Sequence, residues 1–206
     1  QMRLELVRDG HGTEHLSTVA DAHDRMEALI QDVLELARTG ETVGETEPVG
    51  LASVAASAVA NTSLDAAGLT VESDARLVAD RERLTAVFEN LFRNAVDHAS
   101  TGSDPSSDDT VADAESSVNV YVGPLDDGFY VEDDGPGIPR HEQGRIFESG
   151  YSTAADGTGL GLAIVSGVAD AHGWSVSVTN GAHGAARFEF RDVTFETELS
   201  TSGPRQ

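Results

Sequence analysis

The sequence predicts an α+β fold, a two-layer α/β sandwich preceded by a truncated helical hairpin. Near the N-terminus, apolar residues recur at alternating spacings of three and four, which is the pattern of a coiled coil or helical hairpin. Further along, helical patterns alternate with short strand patterns that are separated by turn signals. Helices combined with a largely antiparallel set of strands are typical of a sandwich of one helical layer on one sheet.

The N-terminal helix is predicted between Thr13, which can cap its start, and Gly40, which can end it. Residues 1–8 precede a turn and look like the stump of a partner helix, so residues 1–40 are predicted to be a hairpin remnant. Because the chain begins at Gln1, we expect it to be a piece of a longer protein. The apolar seam of the helix consists of Leu16, Val19, His23, Met26, Ile30, Val33 and Ala37.

A second domain is predicted over residues 51–192, after a Gly-, Thr- and Glu-rich linker at 41–50 and before a C-terminal tail at 193–206. Residues 100–117 have too little apolar content to pack, which predicts a surface insertion. The other patterns predict a helix at 51–60, strands at 69–72 and 75–78, a helix capped by Asp80 and ending at 98, a hairpin of strands at 118–125 and 128–134, a helix at 160–172 stopped by Gly173, and strands at 174–180 and 186–190.

The charge of the chain excludes several functions. The formal net charge is -23, and all 13 basic residues are arginine. Without lysine there is no Walker A loop, no protein-kinase phosphate-pairing lysine and no Schiff base. So acidic a surface would repel nucleic acid and anionic lipid. We therefore expect no nucleic-acid partner, and we interpret the composition as halophilic, an adaptation to high salt that screens the repulsion.

Two absences limit the sites and the location of the chain, although the lack of cysteine leaves the redox compartment open. The chain contains no cysteine, so it has neither disulfides nor thiolate metal sites. Its longest apolar run, residues 51–60, is half the ~20 residues that a bilayer span requires. We therefore expect a cytoplasmic segment without membrane contact.

A first motif, ENLFRNAVDH, places Asn90, Asn94 and His98 four residues apart on one face of the long helix. This stripe lies beside an apolar face, so the amides are predicted to be half-buried and to need a partner. An amide oxygen is a suitable Mg²⁺ ligand next to a triphosphate that supplies further oxygens. For this motif alone, a solvated polar helix face is the alternative.

A second motif, Asp134-Gly135-Pro136-Gly137, lies at the end of a strand. A carboxylate only accepts hydrogen bonds, so Asp134 is predicted to accept the exocyclic amine of adenine and to reject guanine. The glycines would let the backbone approach the flat base. An ordinary turn is the alternative.

Two further motifs are the run from Arg145 to Glu148 followed by GYST, and Gly-Thr-Gly-Leu-Gly-Leu at 157–162, which opens a helix. Free N–H groups and the helix dipole make such a start an anion site. A lone glycine pattern is weak evidence, and this one is not the dinucleotide fingerprint, which needs a βαβ unit.

In this order, the four motifs resemble the ATPase domain of histidine kinases, within the gyrase, Hsp90, histidine kinase and MutL (GHKL) ATP-binding family. The resemblance covers about residues 51–190 and implies the Bergerat ATP-binding fold. The helix at 13–38 resembles the second helix of the kinase dimerisation hairpin, and the overall style is similar to salt-loving archaeal sensor kinases. The resemblance implies a two-component histidine kinase core with ATP and Mg²⁺ as cofactors. Such a core would pass the γ-phosphate to a histidine and then to a response regulator receiver domain. The complete hairpin would form a homodimer.

The resemblance also implies residue roles. Asn94 is the magnesium ligand with Asn90 beside it, both catalytic, while Asp134 binds adenine and Gly137 lies under the base. The glycine pattern faces the phosphates, and residues 147–156 form a short ATP lid with hydroxyl groups. The implied nucleotide-binding residues are Asn90, Asn94, His98, Asp134, Gly135, Gly137, Tyr151, Ser152, Thr153, Gly157, Thr158, Gly159, Leu160, Gly161 and Leu162.

The chain departs from the family pattern in two places. Asp97 stands where many members have a phosphate-contacting lysine, so the countercharge must come from Arg93, His98 or the metal ion. The phosphoacceptor motif, His-Asp/Glu followed by Pro, is absent. His23 is followed by Asp24 but not by a proline, and it lies on the second helix of the hairpin. We therefore expect His23 to be a packed or solvated residue, and this chain alone not to autophosphorylate.

Three other functions remain open at this point. A serine-specific protein kinase of the same fold is disfavoured by the helical seam. An ATP-driven clamp would need a further domain after the ATP site, and few residues follow Phe190. A non-catalytic nucleotide-binding dimerisation module would bind ATP without hydrolysis or phosphotransfer.

Overall fold

The computed structural model describes residues 23, 26, 29, 30, 32–34, 36, 37, 43–65, 68–101, 118–153, 157–181 and 185–196, with the side chains of 99–101 left aside. The predictions for residues 1–22, for most of the insertion and for the last part of the tail lie outside these residues. The described residues between 23 and 37 are helical, as the seam predicts.

The ten regular elements that follow form one sheet of five strands, a two-stranded ribbon and three helices. The strand order of the larger sheet is β2-β4-β5-β7-β6, in which β2 and β4 are parallel and the other pairs antiparallel. The ribbon pairs β1 with β3. The elements are β1 (Glu47–Gly50), α1 (Leu51–Ala60), β2 (Leu69–Val71), β3 (Arg76–Ala79), α2 (Arg81–Thr101), β4 (Val120–Leu125), β5 (Gly128–Asp133), α3 (Gly161–His172), β6 (Ser175–Asn180) and β7 (Ala186–Arg191).

The two-layer arrangement follows from strand alternation. Successive strand residues point to opposite faces, so Phe129 of β5 and Phe190 of β7 lie on the helical side, where their rings stack at 4.5 Å. Phe88 of α2 stacks on Phe129 at 5.8 Å, and all three side chains are fully buried. The opposite face carries Arg187 and Glu132, which form an ion pair. The predicted α+β sandwich is confirmed.

The predicted helix ends are also present. The Asp80 carboxylate accepts the backbone N–H groups of Glu82 and Arg83 at 3.1 and 3.2 Å, which caps the start of α2. At the end of α3, Gly173 adopts the left-handed conformation with φ of 74°. These two caps determine where α2 begins and where α3 ends. Helix α3 begins at Gly161, the last glycine of the glycine pattern.

The domain is longer at both ends than the sequence patterns predict. Residues 47–50, predicted as linker, form β1, and Val49 is fully buried. At the other end, the N–H of Val78 donates to the carbonyl of Thr194 at 2.8 Å, so the start of the predicted tail adds to the ribbon. Both segments are short edge pieces, and Pro48 marks β1 as an edge strand, where proline is tolerated.

The N-terminal helical residues expose their apolar seam. Met26, Ile30 and Val33 are 54–58% exposed, whereas Asp32 is only 7% exposed and Leu36 packs against the core. The helix therefore contacts the domain through the face that carries Asp32 and leaves the seam uncovered. Among the helices described, none is both long and apolar enough to span a bilayer.

Candidate functional site

A cavity of about 330 Å³ lies between α2, the segment after β5, the lid and the start of α3. Most predicted nucleotide-binding residues line it, which brings together motifs far apart in the sequence. The exceptions are Asp134, Gly135 and Leu160, which do not line it. The predicted residues that line it are Asn90, Asn94, His98, Gly137, Tyr151, Ser152, Thr153, Gly157, Thr158, Gly159, Gly161 and Leu162.

The asparagine stripe of α2 forms one wall. Asn90 is 6% exposed, and its amide nitrogen donates to the carbonyl of Ala86 at 2.9 Å. Its Oδ1 atom is buried and has no hydrogen-bond partner among the described residues. Asn94 is half-buried, one helical turn away on the same wall. A buried, unpartnered amide oxygen with a second amide beside it fits a hard cation such as Mg²⁺, which prefers oxygen ligands.

The start of α3 packs tightly against this wall. A Cβ atom on Gly161 would lie 2.9 Å from the Asn90 Oδ1 atom, so the glycine leaves room for the Asn90 side chain in its present position. The described residues contain no cluster of three or more His, Cys, Asp or Glu side chains that could hold a metal. A cation at this wall would therefore depend on amide oxygens and on its nucleotide.

Of the two neighbouring acids at the end of β5, Asp133 lines the cavity, whereas Asp134, the residue predicted to bind adenine, does not. Asp134 is exposed, and its carboxylate accepts the N–H and the Nδ2 group of Asn119 at 2.8 and 2.6 Å. Asp133 lines the cavity, and its Oδ1 atom accepts the N–H of Gly135 at 2.9 Å. Burial raises the pKa of the Asp133 carboxyl, while the N–H groups of Gly135 and Ala186 partly offset that rise.

The spacing of the motif could have identified Asp133. In an Asp-x-Gly-x-Gly pattern the Asp stands two residues before the first glycine, which is Asp133 and not Asp134. The alternation of β5 gives the same answer, because neighbouring strand residues point to opposite sides. Gly135 contributes by its backbone N–H to Asp133 rather than by lining the cavity.

The glycine loop is held by its own backbone and by Thr158. Gly159 has φ of 67°, and a Cβ atom there would lie 2.5 Å from the carbonyl carbon of Gly150. The Gly150 N–H donates to the Gly159 carbonyl at 2.9 Å, which ties the loop to the lid. The N–H of Leu160, predicted to face phosphate, donates instead to the Thr158 hydroxyl at 3.2 Å. No acidic side chain occupies the first turn of α3, so its positive end is not neutralised there.

The lid covers the other side of the cavity. Tyr151, Ser152 and Thr153 line it as predicted, whereas residues 154–156 lie outside the described part of the chain. The Arg145 guanidinium lies 5.1 Å from the centre of the Tyr151 ring, a cation–π contact that orients the ring. Further apolar lining comes from Ile146 of the motif at 145–148 and from three residues outside the predicted motifs, Ile138, Ala186 and Phe188.

The charged lining residues include one arginine and four acidic residues among those the structure describes, and two of the acids, Asp32 and Asp97, interact with that arginine. Arg93 is the arginine among the described lining residues, and its Nη1 atom lies 3.5 Å from Oδ1 of Asp32. Asp97 lines the cavity where the family pattern has lysine; burial raises its pKa, and the charges of Arg93 and His98 lower it. The sequence did not predict Asp32 or Glu142 at this site.

Comparison with known proteins gives relatives that are named as sensor or sensor-like histidine kinases. The sensor histidine kinase ZraS of Klebsiella oxytoca is 30% identical over 192 residues, which are 88% of this chain and 38% of ZraS. The sensor-like histidine kinase SenX3 of Mycolicibacterium smegmatis is 30% identical over 172 residues, 77% of this chain and 42% of SenX3. The chain thus spans less than half the length of these relatives.

Solved structures of related proteins have the same fold. The crystal structure of full-length ShkA in complex with AMPPNP is 26% identical, with a TM-score of 0.64 over 90% of this chain and 39% of ShkA. The ATP-binding domain of PrrB from Mycobacterium tuberculosis shares the fold, with 23% identity and a TM-score of 0.51 over 75% of this chain and 100% of that one. Residues 79–196, more than half of the chain, match the family described as histidine kinase-, DNA gyrase B- and HSP90-like ATPase, and the chain therefore belongs to this family.

Proposed function

We propose that this chain is the ATP-binding catalytic core of a two-component sensor histidine kinase. The observation that carries the proposal is the cavity, which gathers the amide pair of α2, the Asp133 carboxylate and the glycine loop around one volume. The family match and the relatives named as sensor histidine kinases support it. The donor of the reaction is ATP. The acceptor is a histidine on the complete hairpin, from which the phosphoryl group passes to a response regulator receiver domain.

The adenine end is assigned to Asp133. Its carboxylate accepts hydrogen bonds only, so it suits the exocyclic amine of adenine and repels the carbonyl oxygen that guanine has in that position. Backbone N–H groups of Gly135 and Ala186 hold the carboxylate in place. The apolar side chains of Ile138 and Phe188 line the same cavity and suit the faces of a flat base.

The phosphate end is assigned to the start of α3 and the amide pair. Asn90 and Asn94 would hold Mg²⁺, which neutralises charge on the transferring phosphoryl group when bound. The free N–H groups at the start of α3 bind phosphate oxygens, since no acidic side chain of the first turn competes for the helix dipole. Arg93 supplies the positive charge that a lysine supplies in many members of the family. Catalysis then consists of positioning and charge neutralisation.

Calorimetry with ATP and GTP, each with and without Mg²⁺, tests the binding half of the proposal. We expect Mg²⁺-dependent ATP binding and much weaker GTP binding. Equal affinity for the two nucleotides would contradict the adenine role of Asp133. The Asn94→Ala variant should lose most of the affinity together with the Mg²⁺ dependence.

Radiolabel transfer from ATP tests the kinase half. We expect no label on this chain alone and an acid-labile, alkali-stable label on an added hairpin with a complete first helix. The His23→Gln variant is the control, because label on the parent chain that disappears in this variant would make His23 an acceptor. ATP binding without any transfer would favour a non-catalytic nucleotide-binding module. Homodimerisation through the hairpin and a cytoplasmic location belong to the same proposal.

A further inference from the structure

The buried carboxylate of Asp32 is the unusual feature of the N-terminal helix. Leu29, Ile30, Val33 and Leu34 are 37–58% exposed, so apolar side chains face outward while an acidic one is buried at 7% exposure. A carboxylate is rarely buried without partners. Both of its oxygens are engaged inside the nucleotide cavity, which Asp32 lines.

The partners of Asp32 are the groups that a phosphate would need. Its Oδ2 atom accepts the Thr158 hydroxyl at 2.9 Å, and its Oδ1 atom lies 3.5 Å from the Arg93 guanidinium. The Thr158 hydroxyl already accepts the N–H of Leu160, so its single proton is committed to Asp32. Thr158 belongs to the loop at the start of α3, and Arg93 is the guanidinium of the cavity.

We propose that Asp32 is an intramolecular competitor of the nucleotide phosphates, which docks the N-terminal helix at the ATP site and is displaced when ATP binds. The inference rests on the proposed ATP site. A carboxylate and a phosphate both present only acceptor oxygens and negative charge, so they cannot share one hydroxyl proton and one guanidinium without repulsion. Binding of the helix and binding of ATP therefore oppose each other.

The opposition works in both directions. If the docked helix lowers ATP affinity by some factor, ATP lowers the affinity of the helix for the domain by the same factor. The docking of the hairpin helix and the binding of ATP are therefore thermodynamically coupled. Anything in the longer protein that pulls this helix away would raise ATP affinity.

Calorimetry on the whole chain tests the competition with an isosteric change, Asp32→Asn. We expect its ATP affinity to be at least about tenfold higher, the factor that about 1.4 kcal/mol represents and the low end for a hydrogen bond to a charged group. The gain in affinity of the variant over the parent chain should be smaller for ADP and absent for adenosine, which has no phosphates. Glu45→Gln is the matched control, because it removes one negative charge from an exposed residue outside the cavity.

The outcomes separate this inference from the proposed function. Equal ATP affinity of the parent chain and the Asn variant would overturn the inference and leave the ATP site intact. Weaker Mg·ATP binding by the variant would also overturn it, because the carboxylate would then serve the metal. An equal gain for adenosine would mean that the helix merely obstructs the cavity. Failure of both proteins to bind any adenine nucleotide would contradict the proposed function itself.

A distance measurement checks the displacement directly. The chain has no native cysteine, so spin labels can be placed at Leu34→Cys on the exposed face of the helix and at Ala56→Cys on the exposed face of α1. We expect the distance distribution to shift and broaden with saturating AMPPNP and to stay unchanged with adenosine. An unchanged distribution with AMPPNP would refute the displacement.

Discussion

Replacing each of two neighbouring acids at the end of β5 by its amide tests which carboxylate has the proposed role of binding adenine. Asp133→Asn should weaken ATP binding strongly, whereas Asp134→Asn should leave it unchanged. The two variants are matched in chemistry, charge and sequence position. They differ in that Asp133 lines the cavity and Asp134 is exposed and bonded to Asn119.

The magnitude follows from the hydrogen bonds at Asp133. Backbone N–H groups of Gly135 and Ala186 point at the carboxylate, and the adenine amine would be a further donor. An amide has one accepting oxygen, so its NH₂ group must face one of these donors. Losing one hydrogen bond to a charged group costs about 1.5–3 kcal/mol, which corresponds to a loss in affinity of about tenfold to a hundredfold.

Isothermal titration calorimetry with ATP measures both variants, and a thermal melt of each without nucleotide shows that they fold. GTP serves as the second ligand, because Asp133→Asn should reduce the difference in affinity between ATP and GTP. A large loss of ATP affinity in Asp134→Asn with little change in Asp133→Asn would refute the assignment of Asp133 to adenine. It would favour Asp134, the residue that the sequence motif predicted.

Three further predictions concern stability. Arg187→Leu removes the guanidinium that lies 2.9 Å from the 3%-exposed carboxylate of Glu132. The loss of this buried ion pair should lower the free energy of unfolding by about 3 kcal/mol and the melting temperature by roughly 6–12 °C. Adding Glu132→Gln should restore most of this stability, and a double variant no more stable than Arg187→Leu would contradict the reasoning. His172 accepts the Asp80 N–H at 3.1 Å and donates to the Val168 carbonyl at 2.8 Å as the neutral ring, and burial lowers its pKa. The free energy of unfolding should therefore fall as the pH drops below about 6.5, while His172→Phe flattens that slope in urea titrations followed by the single tryptophan. Melting temperatures should rise with KCl into the molar range, where the Debye length is about 3 Å, and a flat or falling trend would remove the halophilic interpretation.

The sequence predicted most elements because their patterns are strong and local. The hairpin of β4 and β5, the cap at Asp80 and the stop at Gly173 each follow from residues within a few positions of one another. Strand β1 was missed because four residues with a proline carry too little alternation to register as a strand. Its stability comes from pairing with β3, a partner that no local pattern reveals.

The site was predicted in outline for the same reason. Motifs that recur in a fixed order indicated the cavity, but the choice between Asp133 and Asp134 depends on which side of the strand each faces. Asp32 could not be found, because its partner Thr158 is 126 positions away and lies on another unit of the fold. The helical pattern indicates only the apolar seam, to which Asp32 does not belong.

The glycine pattern shows how a motif can identify the right place for an incomplete reason. The sequence argument held that glycines at 157–161 let phosphates approach. In the structure, a Cβ atom on residue 159 would clash with the backbone of Gly150 in the lid, and one on residue 161 would lie 2.9 Å from the Asn90 Oδ1 atom. The loop is therefore tied at one residue to the lid and at the other to the proposed metal ligand. Thr158, the residue before Gly159, contacts Asp32 of the N-terminal helix. The lid, the asparagine wall and the N-terminal helix therefore all contact one short loop, so a nucleotide that moves this loop would act on all three.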